Sequence, residues 1–287
     1  MLIALLLAVC ATAERRPAAA QGVAGRGDDV LSHPASRLTA EQINIVRYME
    51  LRAGRERQVP PYVERVMVRI PPEIVEEVIA MRQGEPDFRG PEAPRWFLRL
   101  TPPQKLAWIA YWTYNTEREL DYARRIEIRT DPEVMVEFKR RIMPPLIAGC
   151  GSTACHGSLD VRRTRLRLYN DSRRSDATTY ANFLALREWK VDGLALINSH
   201  KPEESLLLTY ALPDTESRTP HPGQVRPMFF SRRQNGYQHI LRWLSSLRRF
   251  DAGRGYGFRL FPAGEDDAPF EEPPPDDSGV EPPPGPP

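Results

Sequence analysis

Cysteine and histidine are scarce in this chain, which has 3 cysteines and 5 histidines among 287 residues. So few cysteines exclude a disulfide-framework protein and a cysteine-rich zinc array. The 40 lysines and arginines nearly balance the 38 acidic residues, and the net charge of +2 argues against a protein that coats nucleic acid. Residues 39–140 also lack the GxGxxG, P-loop, HExxH and GxSxG motifs of common enzyme sites.

Long hydrophobic runs are missing too. The apolar run at the start, MLIALLLAVCATA over residues 1–13, is too short to cross a bilayer core of about 30 Å as a helix. It ends in Ala11-Thr12-Ala13, a small-residue cleavage pattern, so we predict a signal peptide over 1–13 and an exported, periplasmic protein. The alternative is a lipoprotein signal ending at Cys10, which would attach the protein to a membrane. Removal of the signal peptide leaves Cys150 and Cys155 as the cysteines of a chain in an oxidising compartment.

Proline, by contrast, is abundant and unevenly placed, because ten of the 29 prolines lie between Pro262 and Pro287. Residues 251–287 also carry nine acids and two arginines. This composition predicts a disordered acidic tail with stretches of polyproline II. Such a tail would either keep the protein soluble or act as a docking arm for a basic or aromatic partner. Residues 14–38 show no hydrophobic period and are interpreted as a linker.

Residues 39–140 have the patterns of a small, mostly helical module. Capping boxes predict helix starts at Thr39 and Thr101, Pro71-Pro72 predicts another, and Asp131-Pro132 a further one. The alternation over 65–70 predicts one short strand. The aromatic residues of 106–114 are interpreted as core or as an inter-domain face. The chain as a whole is therefore predicted to be mainly α.

One motif carries chemistry: Cys150, four residues, then Cys155-His156-Gly157. In c-type cytochromes two cysteine thiols form thioethers with the haem vinyl groups, and the histidine after the second cysteine is the proximal iron ligand. A small-loop disulfide between Cys150 and Cys155 is the main alternative. A zinc site lacks further ligands, and a catalytic cysteine lacks a dedicated base.

The segment 141–250 resembles a cytochrome c domain, in particular the single-haem domains of exported planctomycete proteins. The resemblance rests on residues 146–156 as the haem-attaching helix, on 176–184 as a helix capped by Asp176, on 201–208, on Pro220 to Gly223, and on 237–247 as the closing helix. It implies a cytochrome c-like fold and one covalent haem c. It also implies attachment through Cys150 and Cys155, with His156 as the proximal ligand.

The distal ligand is predicted from the loop after the short helix of residues 201–208. In the resembling cytochromes a methionine followed by proline stands there, and this chain has His221-Pro222-Gly223 instead. We therefore expect His221 to be the distal ligand and Met228 to be the second candidate. His200 and His239 are interpreted as surface residues. Two histidine ligands would leave no open position for oxygen or peroxide, which favours an electron carrier over an enzyme.

The leading hypothesis is thus an exported monohaem cytochrome that carries electrons to a periplasmic redox protein. Two others are a haem-free structural or interaction protein with a Cys150–Cys155 disulfide, and a haem enzyme or sensor with an open distal site. Six arginines of the haem domain are interpreted either as a solvated face or as a docking surface for an acidic redox partner. These are Arg162, Arg163, Arg165, Arg167, Arg173 and Arg174.

Overall fold

Helices dominate the part of the chain that the structure describes, so the predicted mainly α class is confirmed. The computed structural model describes residues 38–52, 63–90, 92–157, 166–170, 175–223, 225–251 and 253–260. All of them belong to one compact unit. The predicted signal peptide, residues 14–37 of the predicted linker, residues 261–287 of the predicted tail and five of the six arginines lie outside the described residues. The five are Arg162, Arg163, Arg165, Arg173 and Arg174.

The α-helices are α1 (Ala40–Met49), α2 (Pro72–Arg82), α3 (Ala93–Arg99), α4 (Pro102–Thr113), α5 (Arg118–Arg125), α6 (Glu133–Glu137), α7 (Met143–Gly149), α8 (Asp176–Glu188), α9 (Leu206–Thr209) and α10 (Asn235–Ser246). The helices are joined by connections of very different length, short between α2 and α7 and long before α2, α8 and α10. Single 3₁₀ turns lie at Pro86–Phe88 and Pro202–Glu204. A π-helical segment, Phe138–Ile142, joins α6 to α7.

Two short antiparallel ladders complete the described secondary structure. Strand β1 (Val68–Arg69) pairs with β2 (Glu127–Ile128), so the strand predicted over 65–70 shrinks to two residues. Strands β3 (Lys190–Val191) and β4 (Leu194–Ala195) form a hairpin that the sequence reasoning missed. Its two-residue turn, Asp192-Gly193, has positive φ at both positions (50° and 75°). The Asp-Gly pair is a typical signal for this hairpin turn.

The predicted helix starts are right at some positions and wrong at others. Thr39 and Thr101 form complete capping boxes, and Pro72 opens α2 as expected. Asp131 and Asp176 do not cap. Instead Arg47, on α1, forms ion pairs with both carboxylates, at 3.0 Å to Asp131 and 2.7 Å to Asp176. The two acids therefore link α1 to later segments of the chain. The helix at 176 is capped by Ser175, whose hydroxyl accepts from the N–H of Thr178.

The helical path is continuous from Glu133 to Gly149, through the π-helical segment. Pro144 and Pro145 have no N–H, and their rings crowd the carbonyls of the preceding turn. The wider π-helical turn accommodates them, and in it the N–H of Met143 donates to the carbonyl of Phe138, five residues back. The predicted boundary between module and haem domain, at 140/141, lies inside this segment. The division into two domains stays a prediction. The helix expected over 146–156 ends at Gly149, so the second cysteine and the histidine lie in a loop.

The core of the second half is built around Trp243 of α10. Its ring stacks on Phe138 at 5.4 Å and meets Phe183 edge-on at 6.3 Å. Its indole N–H donates to the carbonyl of Val134. The closing helix thus packs directly on α6 and on the π-helical segment that leads into the cysteine motif.

A second aromatic cluster lies in the first half, as the aromatic run of α4 predicts. Ring contacts of 5.4 to 6.4 Å join the two tryptophans of α4 to aromatic residues before and within α3, and the two tryptophans lie 5.0 Å from each other. The tryptophans are half-buried, whereas their aliphatic neighbours on α4 are buried, so this face is only partly covered. The cluster consists of Phe88, Trp96, Phe97, Trp108, Tyr111 and Trp112.

A buried polar network joins the chain after α10 to α1 and α5. Arg248 is 1% exposed and binds both carboxylate oxygens of Glu119, at 2.7 and 2.8 Å. The hydroxyl of Tyr256 donates to Glu50 at 2.6 Å. Because Tyr256 is buried, packed chain extends past residue 250, into the range 251–287 that is predicted from the sequence to be a disordered tail.

Candidate functional site

The cysteine motif forms a tight loop directly after α7. The N–H of Cys150 donates to Leu146 and ends the helix, and the N–H of His156 then donates back to the carbonyl of Cys150 at 3.0 Å. The N–H groups of Cys155 and Gly157 both donate to the carbonyl of Ser152. The four residues between the cysteines therefore fold back on themselves. This turn brings the His156 backbone directly against that of Cys150.

Glycine is required where this loop closes. A Cβ on Gly157 would overlap the carbonyl oxygen of Gly151, a backbone atom that cannot move aside cheaply. A Cβ on Gly149 would lie 3.2 Å from Cγ and Sδ of Met228. The glycine after the histidine is thus a packing requirement of the loop. Gly149, directly before Cys150, makes room for the side chain of Met228.

His156 is held on both sides by the segment 166–168. Its Nδ1 lies 3.2 Å from the carbonyl oxygen of Leu166, and its own carbonyl accepts from the N–H of Leu168 at 2.8 Å. A carbonyl can only accept, so the proton is on Nδ1 and the lone pair of the neutral ring is on Nε2. Burial lowers the pKa of His156, and the carbonyl of Leu166 opposes this in part. The neutral ring is the form that binds a metal.

The ring of His221 faces that of His156. The ring centres are 6.1 Å apart, and the planes are inclined at 68°. Tyr210 flanks His221 on another side, with ring centres 5.1 Å apart. Nδ1 of His221 is buried and has no hydrogen-bond partner among the described residues. Burial lowers the pKa of His221, so it too favours the neutral form.

The thiols of Cys150 and Cys155 belong to the same site as the two histidines. Cys150 and Cys155 are free and half-buried. The Sγ of Cys150 lies 3.7 Å from Sδ of Met228. Burial, together with the neighbouring Cys155, raises the pKa of Cys150 to about 11, so its thiol stays protonated at neutral pH. One site therefore contains every residue predicted to hold or approach a haem: Cys150, Cys155, His156, His221 and Met228.

The other candidate residues make different contacts. His200 is exposed, and its Nε2 lies 3.0 Å from the carbonyl of Phe250. His239 on α10 is half-buried, with Nε2 3.2 Å from Oε1 of Glu137. Arg167, the one described member of the six arginines, is buried rather than part of a solvated face.

The sequence reasoning missed two parts of the site. The carbonyl of Leu166 and the N–H of Leu168 are backbone groups, so residue type does not reveal them. The one available signal is the alternation Leu166-Arg167-Leu168, which is typical of an extended segment, and both leucines are buried. Tyr210 follows the short helix α9, and no motif marks it.

The residues fit a haem by the chemistry of their donors. Two thiols, a histidine whose Nδ1 is already bonded to a carbonyl, and a second buried imidazole form the donor set of a covalent haem with two axial ligands. Cys150 and Cys155 would hold such a group covalently, and His156 and His221, whose ring centres lie 6.1 Å apart, would supply its nitrogen donors.

No protein-family model, curated protein or solved structure matches this chain. Within the described ranges, no three His, Cys, Asp or Glu side chains are grouped as a metal site. No helix among the described residues is long and apolar enough to cross a membrane.

Proposed function

We propose that this protein is an exported monohaem c-type cytochrome that carries electrons. Haem c would be attached through Cys150 and Cys155, with His156 as the proximal ligand and His221 as the distal ligand. The observation that carries the proposal is the pairing of His156 and His221. The first ring is oriented by the Leu166 carbonyl, the second faces it at 6.1 Å, and both free thiols lie beside them.

Each residue has a defined task in this proposal. The Leu166 carbonyl holds the Nδ1 proton of His156, which keeps Nε2 directed to bind iron. The low pKa of each histidine keeps it neutral, so no proton has to leave before it binds. When bound, the haem would supply one-electron chemistry. Two histidine ligands would hold its potential below that of a histidine–methionine cytochrome.

Met228 is the second candidate for the distal position, and the structure supports it less. Its sulfur lies 3.7 Å from the thiol of Cys150 and would lie 3.2 Å from a Cβ added to Gly149, whereas the ring that faces His156 is that of His221. A methionine at this place would pack against the attachment loop. His221 therefore remains the proposed distal ligand.

The decisive experiment is expression of the full chain in a host with cytochrome c maturation. We expect a covalent Soret-absorbing species, a mass gain of one haem and no free thiol. Cys150→Ser combined with Cys155→Ser should abolish the mass gain. His200→Ala, an exposed histidine outside the site, is the matched control and should leave haem content unchanged. A Cys150–Cys155 disulfide without added mass would refute the proposal and favour the haem-free structural protein.

The axial ligands are tested in the haem-loaded protein. His221→Ala should change the reduced spectrum and let CO bind, whereas Met228→Leu should do neither. If Met228→Leu alone changes the spectrum, the distal assignment moves to Met228. Binding of CO or cyanide by the unaltered protein would favour an enzyme or sensor with an open distal position.

A further inference from the structure

The loop that carries His221 and Met228 also forms a basic surface. Residues 217–234, which we call the distal-loop surface, contain four arginines and no acidic residue. None of these arginines forms an ion pair with a carboxylate among the described residues, and the nearest acids in the chain are Asp214 and Glu216. Three of the four side chains are exposed. The remaining one, Arg232, is half-buried and donates to the backbone carbonyl of Glu216. The four are Arg218, Arg226, Arg232 and Arg233.

Apolar side chains lie exposed among these arginines. Phe230 is 71% exposed and Val225 40% exposed, and Phe230 has the highest exposure among the large hydrophobic residues of the described chain. The neighbouring Phe229 is anchored instead, with its N–H on the carbonyl of Ala211 and its ring against Tyr237. An exposed aromatic residue in a segment whose arginines form no ion pair among the described residues fits an occupant that is acidic and has apolar residues of its own.

We propose that the occupant is the acidic tail of this same chain, residues 261–287. These 27 residues include eight carboxylates, ten prolines and no lysine or arginine. Opposite charge matches them to the four arginines. Proline-rich segments also dock on exposed aromatic side chains, which matches the tail to Phe230. Because tail and surface belong to one chain, their effective concentration is of millimolar order, so weak contacts suffice.

The chain leaves the described part at a place from which the tail can reach this surface. The N–H of Leu260 donates to Glu188, at the end of α8. Backbone hydrogen bonds then connect Trp189 to Leu196, Leu196 to Leu207, and Ala211 to Phe229. This path limits the distance from Leu260 to Phe229 to roughly 40 Å, which about 13 residues cover at ~3.1 Å each. About half of the tail is therefore enough to reach the surface.

Docking would cover the loop that bears His221 and Met228. A covered distal loop would slow electron exchange with an outside protein. This effect on electron exchange rests on the proposed function. The docking itself needs only the charges and the exposed ring, so it can be measured with or without haem. An acidic partner from outside would have to displace the tail from the same arginines.

Zero-length cross-linking in the full-length protein tests the docking. A carbodiimide joins carboxylates to lysines, so Arg226→Lys and Arg233→Lys each place a reactive amine on the surface without changing its charge. Arg99→Lys, at an exposed arginine of α3, is the matched control. Mass spectrometry of a mixture of unlabelled and ¹⁵N-labelled protein distinguishes links within one chain from links between two.

We expect links from the Arg226→Lys and Arg233→Lys variants to tail peptides at low salt, within one chain. Their yield should exceed that of Arg99→Lys at least about five-fold, and it should fall by a similar factor in roughly 0.5 M salt. Adding Phe230→Ser should lower the yield while leaving the fold intact, because that ring is exposed. Equal yields at all three positions, links only between two chains, or no tail links would each overturn the docking. Haem content, measured separately, decides the proposed function and does not affect this result.

Discussion

Arg248 offers the sharpest test of how the two halves of the described chain hold together. Arg248→Met keeps the aliphatic stem but leaves Glu119, itself 4% exposed, without the guanidinium that now binds both its oxygens. Removing one partner of a buried ion pair costs about 3–5 kcal/mol. The N–H of Asn115 still donates to Glu119, so we expect a loss of stability near the lower end, about 3 kcal/mol.

The pH dependence of this loss has a definite sign. Burial raises the pKa of Glu119, and Arg248 opposes that rise. Without the arginine the folded-state pKa rises further above the unfolded value of about 4.3. Such a carboxyl group destabilises the fold fully at pH above its folded-state pKa, and the penalty is lost as pH falls through that pKa toward the unfolded value. The cost of Arg248→Met should therefore be smaller at pH 5 than at pH 7.

Urea unfolding at the two pH values measures both effects, with every variant in the same haem state. Adding Glu119→Gln to Arg248→Met should restore part of the stability at pH 7, because the second change removes the unpaired charge. Arg99→Met, at an exposed arginine, should change stability by less than about 0.5 kcal/mol. A loss below about 1 kcal/mol, an equal loss at both pH values, or no recovery in the double variant would refute the reasoning.

Three further changes test other parts of the structure. Gly157→Ala should open the cysteine loop, because its Cβ would overlap the carbonyl of Gly151; haem incorporation should fall strongly, and an unchanged haem content would contradict the packing. Thr39→Ala removes the capping hydroxyl of α1 and should cost about 1 kcal/mol in urea unfolding, with Thr39→Ser as the tolerated control. Trp243→Phe removes the indole donor to the Val134 carbonyl, which keeps the bond from the N–H of Phe138, so it should cost about 0.5–1.5 kcal/mol, and a loss within error would show that the indole bond contributes nothing.

Local signals in the sequence predicted local structure well. Each capping box needs residues only three apart, and both formed. The cysteine and histidine of the motif are adjacent, so their common location follows from the chain itself. His221 is different, because 65 positions separate it from His156. The sequence resemblance placed it at the site, whereas spacing alone could not.

Contacts between distant parts of the chain explain the failures. Asp131 and Asp176 have the residue type of helix caps, but Arg47 lies between them and takes both carboxylates. Arg248 and Glu119 are 129 residues apart, and no periodic pattern links them. The anchor of His156 is a backbone carbonyl, which every residue type possesses. The helix predicted through the motif ends early, at Gly149, because Gly149 and Gly151 have low helix propensity.

The closed cysteine loop bears on the order of events during maturation. With a pKa of about 11, the Cys150 thiol is ionised in only about one molecule in 10⁴ at pH 7, and the thiolate is the reactive form. In the folded chain this thiol lies against Met228. At the other end of the loop, the N–H of Leu168 donates to the carbonyl of His156. Under the proposed function, the thioether at Cys150 would therefore have to form while the chain is still open. A chain that folds first would be a slow acceptor of haem, so export, haem delivery and folding would compete in time.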